Sequence, residues 1–436
     1  MTVTSVPNAT DGNFAIMNAR VPIAVCDGIR LRDADAASGL ATADLFIRDG
    51  RLAARPDTQE GISIDAAGTL VLPGFVDMHV HLDKAYTVHR TGLPDGGLLD
   101  AVRLSIADAP NRTEDDLRAR MRRSLQRAYA NGTVALRTHL DTPELPDQSP
   151  AWRVFATLRD EFGDMLSLQA VALMALERVD DADYSDRCAQ LSRLGGVLGM
   201  FVPPAMENAN RLDRLFSLAA KHELDVDFHV DETLDPKAGG LAMIADAVQR
   251  TGFARRVVVG HCCSLSAQPH DQAAATLDLV AKAGLHVVAL PTTNLFLQDR
   301  GAGRTPRLRG LTLVKEMRER AIPVSFASDN ICDPFFPFGD FDMFEIMRET
   351  VRVAHLEGEI GAWADAFSRR PAETLGLAGH GRLAPGLPAD FVQFAATDWI
   401  DLFCRSRLAR CVVRNGRPVD GAFLQRRDIF TAQEKA

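Results

Sequence analysis

The chain has 436 residues, of which 46% are apolar and 25% charged, and its net charge is −9. These values are typical of a soluble globular protein with two or three domains, or with one large barrel and an appendage. The chain has neither the basic patch that nucleic-acid binding requires nor an apolar run of about 18 residues that could span a membrane. Seven cysteines without a CxxC pair, and a start that does not resemble a signal peptide, predict a reduced, cytoplasmic protein.

Both ends of the chain have the pattern of short antiparallel strands. Residues 1–70 contain the alternating pieces "FAIMNARVPI" and "DLFIRDGRLAA", and residues 382–436 contain "ADFVQFAAT" and "ARCVVRNGRPV". Tight turns such as "RDGR" and "RNGR" join them. We predict that residues 1–70 and 382–436 pair into one small β-sandwich, the alternatives being two separate caps or a split doubly wound domain.

The central region, residues 71–381, repeats a strand-then-helix rhythm. Eight short apolar runs rich in β-branched residues predict strands at 69–82, 133–142, 166–174, 196–204, 225–232, 256–264, 285–293 and 323–330. Helical patterns separate them, most clearly from Thr113, a predicted N-cap, to Asn131, with Gly132 as the stop. Eight buried parallel strands alternating with helices predict a (β/α)8 barrel.

Polar residues collect where these predicted strands end. His79 and His81 share a face of the first strand, because residues i and i+2 of a strand point the same way. Barrel enzymes place their active sites at the C-terminal strand ends, where His229 and Asp329 also lie. Each residue alone has an ordinary structural explanation, but the four together predict a site for one divalent metal. His261 and a carboxylate beside His229 remain for proton transfer.

The spacing leaves the identity of that carboxylate open. Asp231 shares a face with His229 as long as the strand stays extended, whereas Glu232 points toward the site only if the strand has already turned. Cys262 and Cys263 could bind zinc, but a ligand set exists without them and we expect them to be buried packing residues. We expect His139 to support the site rather than to bind the metal.

Several motifs, in this order, resemble the amidohydrolase superfamily and within it the metal-dependent cytosine deaminase branch. They are "PGFVDMHVHLDK", "RTHLD", "LQAVA", "DFHVDE", "GHCCS", "LFLQDR", "RGLTLVKEM" and "SDNICDPFFPFG". The resemblance implies a (β/α)8 hydrolase barrel with a composite β-sandwich and one Zn²⁺ or Fe²⁺ per chain. It also implies site residues: His79, His81, His229 and Asp329 as metal ligands, Glu232 as proton shuttle, His261 to position the attacking hydroxide, Asp329 as a second proton acceptor, and Gln169, Asn330 and Phe335 as substrate contacts.

Three features qualify what the resemblance implies. Binuclear amidohydrolases use a bridging lysine after the fourth strand, but the chain has no lysine between Lys84 and Lys221, which favours a single metal. The unrelated deaminase fold is excluded because its PCxxC signature is missing. The cytosine enzymes have an aspartate and a tryptophan where this chain has Asn330 and Phe335, so other N-heterocycles, including aminotriazines, fit the pattern as well as cytosine.

We therefore predict a hydrolase acting on carbon–nitrogen bonds of cyclic amidines, a deaminase that releases ammonia from a planar N-heterocycle by attack of a metal-activated water. The alternatives are removal of an alkylamino group from a triazine-type ring, opening of a cyclic amide, or a non-catalytic scaffold. Arg137 and Arg304 are the only residues that hint at the cyclic amide. We expect a small-molecule substrate, a homo-oligomer, and a segment, residues 84–112, that folds over the site.

Overall fold

A computed structural model describes residues 13–54, 61–203, 209–406 and 408–419. The described residues form strands and helices whose order along the chain matches the predicted rhythm. The strands are β1 (Phe14–Pro22), β2 (Leu31–Asp35), β3 (Leu40–Arg48), β4 (Arg51–Ala53), β5 (Ile62–Asp65), β6 (Leu70–Pro73), β7 (Phe75–Val80), β8 (Thr133–Asp141), β9 (Ser167–Ala175), β10 (Val197–Val202), β11 (Val226–Val230), β12 (Val257–His261), β13 (His286–Ala289), β14 (Val324–Phe326), β15 (Phe391–Phe394), β16 (Arg410–Arg414) and β17 (Arg417–Pro418).

The helices lie mainly between the strands β7 to β15. They are α1 (Val88–Thr91), α2 (Leu98–Asp108), α3 (Glu114–Ala130), α4 (Pro150–Phe162), α5 (Tyr184–Arg193), α6 (Ala209–Lys221), α7 (Gly240–Thr251), α8 (His270–Ala283), α9 (Pro291–Leu297), α10 (Val314–Glu319), α11 (Met343–Val353), α12 (Ile360–Trp363), α13 (Arg369–Thr374) and α14 (Trp399–Cys404). Short 3₁₀ helices span Ile23–Val25, Ala109–Asn111, Pro146–Gln148, Leu176–Asp180, Cys263–Ala267 and Ala364–Phe367.

The eight strands β7 to β14 form one sheet in sequence order, and this confirms the predicted barrel. Neighbours from β9 to β14 pair in parallel register. A parallel bridge between Val80 and Asp329 joins the two edges of the sheet, and the Asp329 N–H donates to the His79 carbonyl oxygen at 2.9 Å. The strand interiors are buried, as expected for a parallel sheet covered on both faces.

Two of the predicted strand runs differ from the observed strands: one is divided and the other ends early. The run 69–82 is two strands, β6 and β7, separated at Gly74, where an added Cβ would lie 2.2 Å from the Val134 side chain. The run 285–293 ends as a strand at Ala289, because Pro291 begins helix α9. The predicted helix 113–131 is confirmed as α3, and the Thr113 hydroxyl accepts a hydrogen bond from the Asp116 N–H.

Strands from both chain ends build a second sheet, which confirms that the two ends pair, and this sheet is mixed because β1 pairs in parallel with β5 and β6. Its order is β17-β16-β15-β6-β1-β3-β2, with β4 on β3 and β5 on β1. Within this sheet β1 pairs antiparallel with β3, and β15 pairs antiparallel with β6. Phe14, Ile16, Leu45 and Phe391 belong to its buried core.

The contacts divide the chain into two compact units. Of the described residues, one unit contains those within 13–77, 126–135 and 342–419, and the other contains those within 78–125 and 136–341. The first contains the mixed sheet and helices α11 to α14, and the second contains every predicted site residue. The sequence-based limits at residues 70 and 382 stay a prediction, as do the parts of the chain-end strands that lie outside the described residues.

Candidate active site

Three histidines and one aspartate converge at the C-terminal ends of the barrel strands. The His229 Nε2 lies 3.1 Å from the His79 Nε2 and 3.2 Å from the His81 Nε2. The Asp329 Oδ1 lies 3.6 Å from the His79 Nε2 and 3.3 Å from the His81 Nε2. Ligand atoms about 2.1 Å from a shared metal ion are about 3 to 3.5 Å apart, so these spacings fit one ion.

Burial keeps the three imidazoles neutral. The exposed fractions of His79, His81 and His229 are 0%, 4% and 5%. Desolvation, followed by the charges of neighbouring groups, lowers the pKa of each imidazole well below its usual value. A neutral imidazole has a single N–H, so three facing Nε2 atoms cannot all be satisfied by one another. A cation among them would satisfy all three, and this donor set fits a divalent metal.

Local backbone geometry places these side chains. His79 lies within β7, and the parallel bridge to Asp329 holds β7 beside the end of β14. Asp329 has a φ of 61°, which turns the chain away from the strand direction. Gly260 on β12 leaves room for His79, because an added Cβ would lie 3.2 Å from the His79 Cε1.

The two carboxylates that follow His229 have different surroundings. The Asp231 carboxylate accepts hydrogen bonds from the Gly240 and Leu241 N–H groups, both at 3.0 Å, and so holds the start of helix α7. Asp231 has a φ of 51°, which ends the extended strand and reverses the alternation. Glu232 therefore lines the same cavity as His229. Strand periodicity favoured Asp231 because it assumed an extended backbone there.

Burial and a neighbouring carboxylate set the charge of Glu232. Glu232 is 6% exposed. Desolvation, followed by the negative charge of Asp329, raises the pKa of Glu232 well above its usual value. Its Oε1 lies 3.5 Å from the His261 Nδ1. A carboxyl group that stays protonated near neutral pH can donate a proton to a basic atom in the cavity.

His261 ends strand β12 with a φ of 69°. Its Nδ1 lies 3.0 Å from the Asn294 Oδ1 of helix α9. Because an amide oxygen only accepts, the His261 Nδ1 carries the proton and the Nε2 keeps a lone pair. Burial lowers the pKa of His261 to about 4, although the hydrogen bond to Asn294 raises it. The imidazole is therefore a neutral acceptor at the cavity wall.

The predicted substrate contacts are not all brought to the cavity. Asn330 and Phe335 line it, and the Asn330 Nδ2 donates to the Asp333 carboxylate at 2.7 Å. Gln169 has its partner elsewhere. Its Oε1 accepts two hydrogen bonds from the Arg137 guanidinium, at 2.8 and 3.1 Å, and among the described residues it does not belong to the cavity wall. Gln169 lies near the start of β9, whereas the cavity forms at the strand ends.

The cavity has a volume of about 640 Å³. Seven of the predicted site residues line it: His81, His229, Glu232, His261, Asp329, Asn330 and Phe335. Much of the remaining wall is apolar and comes from Leu98, Val102 and Ile106 of the segment 84–112, and from Leu173, Met174 and Phe201 at the ends of β9 and β10. Lys84 and Arg112 also line it, and both are ion-paired with Asp141, at 2.7 and 3.2 Å.

Other polar residues that the sequence pattern singled out are accounted for by their surroundings. Burial raises the pKa values of Cys262 and Cys263 well above the usual thiol value, so both thiols stay protonated and pack in the interior. Arg137 is buried against Asp227 at 3.1 Å, and Arg304 pairs with Asp299 at 2.6 Å. Neither arginine is among the residues of the cavity wall in the described part of the chain.

Sequence reasoning missed three buried residues next to the site: Asp227, Asn294 and Lys84. The Lys84 Nζ lies 3.2 Å from the His81 Nδ1. Asp227 lies two residues before His229 and so on the same strand face, a signal that the alternation rule could have used. Asn294 is in helix α9, and the sequence pattern had assigned the first residues of that helix to the strand run 285–293.

No helix in the described ranges combines the length and apolarity of a membrane span.

The model of the amidohydrolase family matches residues 63–144 and 167–420. A pterin deaminase from Rhizobium rhizogenes (strain K84) is 42% identical over 435 residues, which are 98% of each chain. N-isopropylammelide isopropyl amidohydrolase from Pseudomonas sp. (strain ADP) is 25% identical and covers 81% of this chain and 87% of its own.

Solved structures show the same architecture. The 5-methylcytosine deaminase from Klebsiella pneumoniae, liganded with 5-fluorocytosine, aligns with a TM-score of 0.76 at 25% identity, covering 93% of this chain and 97% of its own. N-isopropylammelide isopropylaminohydrolase from Burkholderia multivorans aligns with a TM-score of 0.70 at 21% identity, covering 93% and 98%, and supports the fold alone.

Proposed function

The chain belongs to the amidohydrolase family, as its motifs implied, and from this membership we propose that it is a metal-dependent deaminase of a pterin-type ring. The observation that carries the proposal is the convergence of His79, His81, His229 and Asp329 beside a cavity that is lined by Glu232, a carboxyl group with a raised pKa. The 42% identity with a pterin deaminase over nearly the whole chain favours a fused bicyclic substrate.

The size of the cavity supports a bicyclic ring. Sites for small molecules have volumes of about 300–1,000 Å³, and about 640 Å³ is more than one six-membered ring requires. The apolar wall suits a flat heterocycle. Phe335 offers a ring face and Asn330 an amide, which can pair with the polar edge of the substrate. Gln169 is not part of the proposal, because Arg137 holds it away from the cavity.

His79, His81, His229 and Asp329 would hold one divalent ion, Zn²⁺ or Fe²⁺, since imidazole and carboxylate ligands accept both. When bound, such an ion polarises water and brings its pKa from 15.7 to roughly 7, which supplies a nucleophile at neutral pH. Asp329 accepts the proton released from that water. Single occupancy fits the absence of a lysine between Lys84 and Lys221.

Glu232 and His261 move and hold the remaining protons. The Glu232 carboxyl donates its proton to the ring nitrogen beside the attacked carbon, so negative charge does not build up on the ring. The His261 Nε2 lone pair accepts a hydrogen bond from the attacking oxygen and holds it toward the carbon. Asp329 returns a proton to the leaving amino group. The new hydroxyl gives its proton back to the Glu232 carboxylate as the carbonyl forms, and ammonia departs.

The cellular location and the oligomeric state of the enzyme rest on the sequence-based expectations. All seven cysteines are free thiols in the structure, which supports a reduced compartment, and we propose the cytoplasm. The homo-oligomer stays a prediction.

The test is ammonia release by the metal-replete full chain from pterin, cytosine, 5-methylcytosine and isoguanine, with amine release from N-isopropylammelide beside it. We expect pterin to have the highest kcat/KM. Preference for N-isopropylammelide would replace the proposal by the alkylamino alternative, which the similarity to an isopropyl amidohydrolase favours. Opening of a cyclic amide without amine release would contradict both.

A further inference from the structure

A fourth imidazole, His139, packs against the three that converge on the site. Its ring centroid lies 3.9 Å from that of His79, 4.8 Å from that of His229 and 5.5 Å from that of His81. It is fully buried and does not line the cavity formed by the described residues. In the proposed mechanism His139 neither transfers a proton nor contacts the substrate. Its position beside all three rings therefore points to another role.

A chain of buried polar groups holds His139. Its Nε2 lies 3.3 Å from the Asp227 Oδ1, within ion-pairing distance but outside hydrogen-bond geometry. The other oxygen of that carboxylate accepts a hydrogen bond from the Arg137 Nη1 at 3.1 Å, and Arg137 donates two hydrogen bonds to Gln169. His139, Asp227 and Arg137 are each 1% exposed or less.

The strands explain how these groups meet. Arg137 and His139 are two residues apart on β8, and Asp227 and His229 are two residues apart on β11. Residues at this spacing share a strand face, so each strand brings one charged residue and one histidine to the same side. The Asp227 carboxylate thereby reaches the His139 ring, which packs against the His79 ring.

Packing alone is a weak reason for such a network. A buried ion pair loses much of its Coulomb energy to desolvation, and apolar residues of the same volume are often equally stable. A carboxylate that fixes the orientation of an imidazole has a different effect, because partners behind metal ligands set the direction of the ligand lone pairs.

We propose that His139 is a positioning residue: held by Asp227, its ring keeps the His79 and His229 rings in the orientation that makes their Nε2 atoms converge. The inference rests on the proposed function, because it concerns the same metal site. His139 then supports the ligands and does not itself bind the metal, although its ring nitrogen lies within 4.8 Å of ring nitrogens of His79 and His229. Asp227 acts only through His139.

The variants Asp227→Asn, His139→Phe and the double variant test this, with Asp225→Asn as the matched control. Asp225 lies on the loop before the same strand and pairs with Arg255 and Arg256 at its partly exposed position. The full chain is loaded with Co²⁺, and the Kd is measured by competition with a chromophoric chelator, together with the visible Co²⁺ spectrum and the unfolding midpoint.

We expect each single variant to bind Co²⁺ about 10- to 100-fold more weakly, with a shifted visible spectrum and a lowered kcat at nearly unchanged KM. The double variant should lose no more than His139→Phe alone, because Asp227 has no separate route to the metal. Asp225→Asn should match the wild type.

Three outcomes would overturn the inference. The first is a Kd and spectrum in both single variants within twofold of the wild type. The second is an additive loss in the double variant. The third is loss of metal only together with the native near-UV circular dichroism in both single variants, which makes the network purely structural. A wild-type chain that binds no Co²⁺ would instead defeat the proposed function.

Discussion

Glu232 and Asp231 are neighbours in the sequence whose side chains do different things. Asp231 accepts two backbone hydrogen bonds at the start of α7, and Glu232 faces the cavity beside His261. The contrast arises at one residue, because the φ of 51° at Asp231 ends the strand alternation. A sequence pattern cannot give that angle, so spacing left the two carboxylates open.

Substitutions of Glu232 and Asp231 should have separate effects, the first on kcat and the second on stability. We expect Glu232→Gln to lower kcat by about 10²- to 10⁴-fold, because the side chain can no longer donate a proton, and to leave the unfolding midpoint nearly unchanged. Asp231→Ala should cost about 1 kcal/mol of stability through the lost helix cap and keep kcat within the same order of magnitude. Steady-state ammonia release and thermal unfolding measure both.

The control for that pair is Glu357→Gln, at an exposed position of the other compact unit. It should match the wild type in both measurements. If Asp231→Ala abolished kcat while Glu232→Gln did not, the proton donor would have been assigned to the wrong carboxylate.

Asp333 should make the loop after β14 sensitive to pH. Its carboxylate accepts from the Phe335 and Phe336 N–H groups and from the Asn330 side chain, yet burial raises the pKa of Asp333 to about 6. The folded state therefore binds the proton more tightly than the unfolded state, and this contribution to stability is lost as pH rises from about 4 through about 6.

Asp333→Asn removes that loss. We expect its unfolding midpoint, relative to the wild type, to rise by a few °C between pH 4.5 and pH 7. Asp95→Asn, at an exposed position, should show no such trend. A midpoint difference for Asp333→Asn that is independent of pH would contradict the raised pKa.

The segment 84–112 forms part of the cavity wall through one side of helix α2. Leu98 lines the cavity, whereas its neighbour Leu99 is 74% exposed. Sequence analysis predicted that the segment folds over the site, but it could not say which side chains face inward.

Leu98→Asn and Leu99→Asn form a matched pair. We expect Leu98→Asn to raise KM several-fold with little change in kcat, because it removes apolar contact that substrate and transition state share. Leu99→Asn should leave both constants unchanged. Equal effects of the two substitutions on KM would mean that α2 does not contact the substrate.

At the level of elements, the eight strand runs could be predicted because each is a nearly continuous apolar stretch bounded by turn residues. The residues at which these strands end could not be predicted. Gly74 divides one run because the chain passes close to Val134, and Pro291 starts a helix inside another. Close approach and helix starts depend on partners that a local pattern does not contain.

For the whole molecule, the barrel and the mixed sheet from both chain ends follow from the order of predicted elements. The metal ligands could be predicted because strand ends of a barrel meet at one edge. The network of His139, Asp227 and Arg137 could not be predicted in full. Alternation along a strand places Asp227 on the face of His229, but the contact with His139 joins β8 and β11, which are not neighbours in the sheet.

A bound metal should also stabilise the fold. An ion that binds the native but not the unfolded chain adds stability that grows with its free concentration. We expect removal of the metal with a chelator to lower the unfolding midpoint, and stoichiometric metal to restore it. An unchanged midpoint on removal, with full metal loss verified by elemental analysis, would contradict a site built from three separate strands.

The most direct test of the account is the rate of ammonia release from pterin as metal-free full chain is titrated with Zn²⁺ or Fe²⁺. The site of His79, His81, His229 and Asp329 predicts no release without metal, a linear rise, and a plateau at one ion per chain. Release by the metal-free chain, or a plateau only at two ions per chain, would contradict it.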